Sequence, residues 1–316
     1  MRKRRELTAV SKRMGRVQPG DSLLFCTLRN ERARLPYFLR YYRKLGIGHF
    51  FFVDNGSDDG TREYLEGQPD VSLWTTNASY SGSRFGMDWI NWLLRRYAHG
   101  HWALVVDADE FLVYPFCDTR PLRALTDWMD ALNVKAFGTM LLDMYPKEPL
   151  NQTKIAEGEN PFKTACWFDA GNYTVSVNQR YQNIWIQGGP RARTFFADNA
   201  DAAPALNKIP LVKWNRHYVF ASSTHALLPR DLNVTYDTEG GERVSGVLMH
   251  AKFTGDFPAR AAEEVVRNEH YQDSREYRAY QDAMDPTDSL WTPWSERYVN
   301  WRQLEILGLM SKGSWI

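Results

Sequence analysis

Trp102-Ala-Leu-Val-Val-Asp-Ala-Asp-Glu-Phe-Leu-Val-Tyr114 is the stretch around which the chain is organised. Trp102 to Val106 is apolar and partly β-branched, and its length and composition predict a buried strand. Three carboxylates then fall within four positions: Asp107, Asp109 and Glu110. At the exposed end of a central strand, alternate residues project to one side, so Asp107 and Asp109 are placed to reach one hard cation. Acids this crowded repel one another unless a cation or hydrogen-bond donors compensate.

The flanking sequence repeats the same design. Ser22–Leu28 reads as a first buried strand and ends in Arg29-Asn30-Glu31. Leu35, Phe38, Leu39, Tyr42 and Leu45 then recur at helical spacing, and Gly46 stops the helix. His49–Val53 is a second strand that runs into the turn-rich Asp54-Asn-Gly-Ser-Asp-Asp-Gly60, with Thr61 placed to cap a helix. Val71–Thr75 is a third strand, and a helix carrying Phe85, Trp89, Ile90, Leu93, Leu94 and Tyr97 leads to the Asp107 strand. Strand–helix–strand repetition predicts an α/β fold: a Rossmann-like, mostly parallel sheet with helices on both faces. Ligands of such sheets bind beyond the carboxyl ends of the strands, where all three polar clusters fall. Neither G-x-G-x-x-G after the first strand nor G-x-x-x-x-G-K-[ST] is present, which removes dinucleotide and P-loop readings.

Further on, a helix over 121–132 leads to a strand over 137–142 that ends on Asp143. Residues 146–210 are loop-rich with short strands such as Asn183–Gln187. A last strand, Gly246–Phe253, sets His250 and Lys252 on alternate positions. A long polar helix is expected from Asp256 to about residue 283, and an amphipathic one from Ser295 to Gly308. The expected organisation is a basic, disordered tail at 1–20 and one domain at 21–316. That domain divides into a strand–helix half (21–115), a loop-rich half (116–256) and C-terminal helices (257–316).

Bulk properties narrow the class. The 316 residues carry a net charge of +1, which argues against a nucleic-acid partner. Residues 1–20 hold seven Lys or Arg and one Glu, so the remainder sums to −5. Such a tail offers peripheral contact with anionic lipid. It lacks the apolar core of a signal peptide, and no window approaches the roughly 18 apolar residues of a spanning helix. Cys26, Cys117 and Cys166 lie far apart, outside any metal spacing, as reduced core thiols would. The expected location is cytoplasmic, with an option of the inner membrane face.

Arg29-Asn30-Glu31 after the first strand, Asp54 to Thr61 after the second and Asp107-Ala-Asp-Glu-Phe-Leu112 after the fourth resemble glycosyltransferase family 2, of GT-A fold, in the branch with R-N-E and D-x-D-E-F motifs. The resemblance extends through Asp143-Met-Tyr, Gly189–Arg193, Lys208–Trp214, Leu248–Phe253 and Ser295–Tyr298, roughly residues 21–310. The E-D pair and Q-x-x-R-W of the commoner branch are absent. The resemblance implies a hexosyltransferase-type enzyme. It would move a sugar from a nucleotide-diphosphate donor, most readily a UDP-sugar, to a glycan, lipid-linked or protein acceptor, in glycan or cell-surface polysaccharide synthesis. Inversion and assistance by Mn²⁺ or Mg²⁺ are expected. Asp107 and Asp109 would hold the metal, completed by His250, with His225 the lesser candidate. Thr27, Arg29, Glu31, Asp54 and Asn55 would line the nucleotide pocket, and Arg84, Asp107 and Lys252 would contact the diphosphate side. Asp143 is the first choice of general base and Asp169 the second, while Arg191 and Arg193 are candidates for binding an anionic acceptor or the diphosphate, or are ordinary surface charges. A sugar nucleotidyltransferase or a non-catalytic nucleotide- or carbohydrate-binding protein are the alternatives.

Overall fold

The computed structural model describes residues 2–237, 242–267, 269, 276–280, 282, 285, 287 and 289–316. Its strands are β1 Thr8–Ser11, β2 Ser22–Leu28, β3 Ile47–Asp54, β4 Val71–Thr75, β5 Trp102–Val105, β6 Glu110–Val113, β7 Ala136–Asp143, β8 Trp167–Asp169, β9 Tyr173–Asn178, β10 Asn183–Gly188, β11 Asn207–Lys213, β12 Val219–Ser222, β13 Ala226–Leu228, β14 Ser245–His250 and β15 Ser295–Arg297. The helices are α1 Leu35–Leu45, α2 Thr61–Glu66, α3 Met87–Tyr97, α4 Leu122–Ala131, α5 Phe257–Arg267 and α6 Trp301–Ile306. Residues 276–280 are also helical.

Nine strands form one sheet in the order β1-β4-β3-β2-β5-β11-β7-β14-β6. β4, β3, β2 and β5 are mutually parallel, as the strand–helix repeats predict, and β7 and β14 form a second parallel pair. β11 runs against both of its neighbours, β5 and β7, so those two share one direction and six of the nine strands point the same way. β1 and β6 lie antiparallel at the two edges.

Alternation along β2 divides the core. Leu24 and Cys26 face α1, Phe52 and Phe111, whereas Leu23 and Phe25 face α3, Phe51 and Trp214. Phe25 and Phe51 stack at 4.6 Å. Each fully buried side chain of this size contributes about 1.5–3 kcal/mol. The β2–β5 part of the sheet is thus covered on both faces, and its polar residues are confined to the strand ends.

Four expectations are corrected. The 102–114 stretch is two strands, because the chain reverses at Asp107, whose carbonyl accepts from the Glu110 amide at 3.1 Å. β5 stays beside β2, while β6 crosses to the far edge beside β14. β7 is likewise separated from β5 by β11. Residues 8–11 are sheet, not a disordered tail: β1 pairs with β4, and Lys3 donates to the Gly82 carbonyl at 2.9 Å. Ser295–Arg297 is a strand paired with β8, and the helix begins at Trp301 because the Asn300 side chain accepts from the Arg302 amide. The expected helix from Asp256 is α5 to Arg267; part of its remainder lies outside the described residues. Among the described residues, no helix is long and apolar enough to cross a membrane.

Candidate functional site

Register across β6, β14 and β7 aligns Glu110 with His250 and His250 with Asp143. A continuous polar chain results. Arg191 donates to Asp143 through Nε at 2.7 Å and Nη2 at 3.0 Å. His250 Nδ1 lies 2.7 Å from Asp143 Oδ1, and its Nε2 lies 3.4 Å from Asp109 Oδ2. The Ala251 amide fixes the Asp109 carbonyl at 2.8 Å. Burial would push His250 down, but the carboxylates of Asp109 and Asp143, one on each ring nitrogen, outweigh it and raise the imidazole to about 9. Burial would likewise raise Asp109 and Asp143. His250 holds Asp109 well below the usual carboxylate range, and Arg191 with His250 does the same for Asp143.

Glu276 joins this chain from the opposite side. Its Oε1 lies 3.0 Å from Lys252 Nζ and 3.5 Å from Arg191 Nη1, and it accepts from the Tyr280 hydroxyl. Lys252 lies over the Tyr277 and Tyr280 rings at 4.6 and 4.8 Å. At the Asp107 turn, Glu110 is buried and paired with Lys208 at 2.7 Å, and its other oxygen accepts from the Asp107 amide at 3.1 Å. The Asp107 side chain is 61% exposed, 3.9 Å from Lys208. Its pKa is pushed up, first by burial of the turn and then by Glu110. Solvent around the side chain screens part of that push.

The structure brings Asp109, His250, Asp143 and Lys252 into one network and leaves Asp107 open at its rim. Other expected contacts are differently employed. Glu31 pairs with Arg34 at 3.0 Å through one oxygen and with Arg260 through the other, joining the β2 loop to α5. Asp54 is buried and accepts from the Ser57 amide and hydroxyl. Asn55 donates to the Thr76 and Ala78 carbonyls and accepts from Arg267 at 3.3 Å, so it ties three segments together. Arg84 pairs with Asp88 and reaches the Phe220 and Ala221 carbonyls, which anchors α3 to β12. Thr27 Oγ1 and Arg29 Nε are buried without a hydrogen-bond partner among the described residues.

Asp169 is held by Arg193 at 2.8 and 3.1 Å and by the Tyr145 hydroxyl. His225 stands 2.6 Å from the Asn207 carbonyl, apart from Asp109, and burial lowers it to about 4. Arg191 faces inward to Asp143, so its guanidinium is internal to the network. Lys208 and Glu276 were not among the expected site residues. Lys208 sits in a recognisable motif, but no local pattern marks Glu276, whose role depends on its long-range contacts with Lys252 and Arg191.

The sequence of residues is similar to one curated relative. A glycosyltransferase family 92 protein of Oryza sativa subsp. japonica is 29% identical over 145 residues, 42% of this chain. The match spans 23% of that protein's length. No family model matches the chain. Two solved structures give partial superpositions. One is a putative glucose-1-phosphate thymidylyltransferase from Bacillus anthracis in complex with a sucrose (9% identity, TM-score 0.27, 46% of this chain and 67% of that one). The other is a 4-diphosphocytidyl-2C-methyl-D-erythritol synthase (16% identity, TM-score 0.28, 45% and 67%). The sequence similarity is to a glycosyltransferase, and the curated label is family 92, not family 2.

Proposed function

We propose that the chain is a metal-dependent glycosyltransferase that moves a sugar from a nucleotide-diphosphate donor to an acceptor hydroxyl, with inversion. The observation that carries this reading is the Asp143–His250–Asp109 relay ending at an open carboxylate turn. Asp143 occupies Nδ1 of His250 and thereby directs Nε2 toward Asp109. Orienting a histidine through its second nitrogen is how proteins prepare it as a metal ligand. Among the described residues no group of three or more His, Cys, Asp or Glu is placed to hold a metal ion by itself, so phosphate oxygens and water would have to complete the shell. Asp109 and His250, with Asp107 at the rim, fit instead an open site that shares Mn²⁺ or Mg²⁺ with phosphate oxygens and water. When bound, that cation offsets the charge gathering on the departing nucleoside diphosphate.

Lys252 supports the same reading as a cation beside the relay, steadied by Glu276. Both Asp143 oxygens are engaged, by Arg191 and by His250, and these partners hold its pKa low, so we read it as a strut and not as the general base, which needs a pKa near the working pH. Asp169, tied to Arg193, is a strut as well. The family 92 similarity supports transferase chemistry, while the base of the donor, its sugar and the acceptor class are open to experiment.

Calorimetry with UDP, GDP, CDP and ADP, each with and without Mn²⁺, tests the proposal. Metal-dependent binding of one diphosphate, lost in Asp109→Ala, is expected. Binding indifferent to both metal and mutation removes Asp109 from the site, and no binding by folded protein refutes the transferase reading.

A further inference from the structure

A cavity of about 480 Å³ opens beyond the ends of β2, β3 and β4, lined by Arg29, Asn55, Ser79, Arg267 and Glu269 among others. One carboxylate oxygen of Glu269 receives three donors there: Ser79 Oγ at 2.7 Å, the Ser81 amide at 2.8 Å and Ser81 Oγ at 2.7 Å. The residues supplying them are fixed without Glu269. The Gly82 amide donates to Ser79 Oγ at 3.0 Å, Ser83 Oγ to the Tyr80 carbonyl at 2.8 Å, and Lys3 holds the Gly82 carbonyl from outside. Burial would raise the Glu269 carboxyl, but the serine donors and then Arg267 outweigh it and lower its pKa. Removing Glu269 would leave, among the described lining residues, two guanidinium groups and no acid, with Arg267 still paired to Glu264 at 3.1 Å. Arg29 Nε is buried without a hydrogen-bond partner, and the Arg29 Nη2–Glu263 contact is loose at 3.6 Å.

Convergent hydroxyl and amide donors beside two arginines are the chemistry of a phosphate site. We propose that the Ser79–Ser81 loop, with Arg29 and Arg267, is a phosphate-binding subsite, and that Glu269 occupies it as a displaceable stand-in for the phosphate. Glu269 meets its serine partners at the exposed mouth of the cavity, so it can leave without opening the core. The phosphate belongs either to a nucleotide, an assignment that rests on the transferase reading, or to a free phosphate species. An in-chain competitor lowers apparent affinity by the fraction of time the subsite is vacated; a stand-in bound nine-tenths of the time weakens binding about tenfold.

The test is calorimetry of the full chain in EDTA, with pyrophosphate and UDP as probes, on wild type, Glu269→Ala and Glu269→Gln. The cation site is inactive under these conditions, so failure here and failure of the transferase reading are distinguishable. Binding to Glu269→Ala about tenfold tighter is expected, with the gain lost when Ser79→Ala and Ser81→Ala are added. A gain for both probes identifies a general phosphate site, and a gain for UDP alone assigns the phosphate to a nucleotide. Unchanged or weaker binding of both probes by either folded variant overturns the proposal and leaves Glu269 as a tie for the serine loop.

Discussion

Replacing Asp143 by Ala tests whether the network is held together by this carboxylate. Asp143 and Arg191 are 2% and 4% exposed, and three charge-assisted hydrogen bonds end on the Asp143 oxygens: two from Arg191 and one from His250. Removing it leaves the Arg191 guanidinium buried with Glu276, 3.5 Å away, as its remaining acidic partner among the described residues. Breaking a buried pair from one side costs about 3–5 kcal/mol, because the remaining charge stays desolvated. For a chain of this size each kcal/mol lowers Tm by roughly 2 °C, so the midpoint should fall by about 6–10 °C. Asp143→Asn keeps an acceptor and the shape, and should lose about half as much. The sign with pH is fixed too. The folded-state pKa of Asp143 lies below its ordinary value, so its contribution is present above about pH 4 and disappears as pH falls through the folded pKa. The gap between the Ala variant and wild type should therefore begin to narrow as pH falls from about 4 to 3. Thermal denaturation by near-UV circular dichroism from pH 3 to 7 measures both effects. A midpoint within 1 °C of wild type at pH 7 would refute the network as drawn.

Other positions give independent tests. Lys208→Met strands the buried Glu110 carboxylate and should cost about 3–5 kcal/mol, whereas Lys208→Met with Glu110→Leu should recover most of it; a denaturant double-mutant cycle reads the coupling. His49 is fully buried against Ser72, and burial lowers its pKa to about 4, below the ordinary 6.5. The unfolded chain therefore binds more protons between those values, and stability should fall by up to roughly 3 kcal/mol as pH drops from 6.5 to 4. His49→Gln should flatten that slope in chemical denaturation, and an unchanged slope assigns it to other groups. Gly246 sits between β7 and β6, where an added Cβ would meet the Val113 carbonyl at 2.6 Å and the Phe137 ring at 2.7 Å. Gly246→Ala should cost about 2–3 kcal/mol by urea denaturation, and a neutral result would mean the strands can part there.

The half of the fold up to β5 was legible because each of its elements carries a local signature. Leu35 to Leu45 keep helical spacing up to Gly46, whose φ of 96° suits glycine. Ser22–Leu28 and Val71–Thr75 appear with the expected bounds. The basic start misled, since composition describes solvation and not pairing: Thr8–Ser11 alternate little, yet their backbone supplies the hydrogen bonds that β4 would otherwise leave open. The individual roles of the site acids were less legible. Glu31, Asp54 and Asn55 stand at the predicted strand ends, but Asp54 is taken up locally by Ser57, while the partners of Glu31 and Asn55, Arg260 and Arg267, are set by tertiary contact.

The least legible element, β11, decides where the site lies. Its sequence, Asn-Lys-Ile-Pro-Leu-Val-Lys, places Pro210 inside a strand with neighbours on both sides, where a missing amide normally breaks the ladder. The register shifts between Lys208 and Leu211, a bulge that absorbs the proline and turns the Ile209 amide to the Thr224 carbonyl at 2.8 Å. On the near side of that bulge Lys208 reaches Glu110, and on the far side Leu211 pairs with Leu104 of β5. The strand thus sits between β5 and β7 while its lysine closes the turn that carries Asp107 and Asp109. A proline that argues against a strand in one dimension is accommodated in three by the bulge, beside which Lys208 holds Glu110 in the turn leading from β5 to β6.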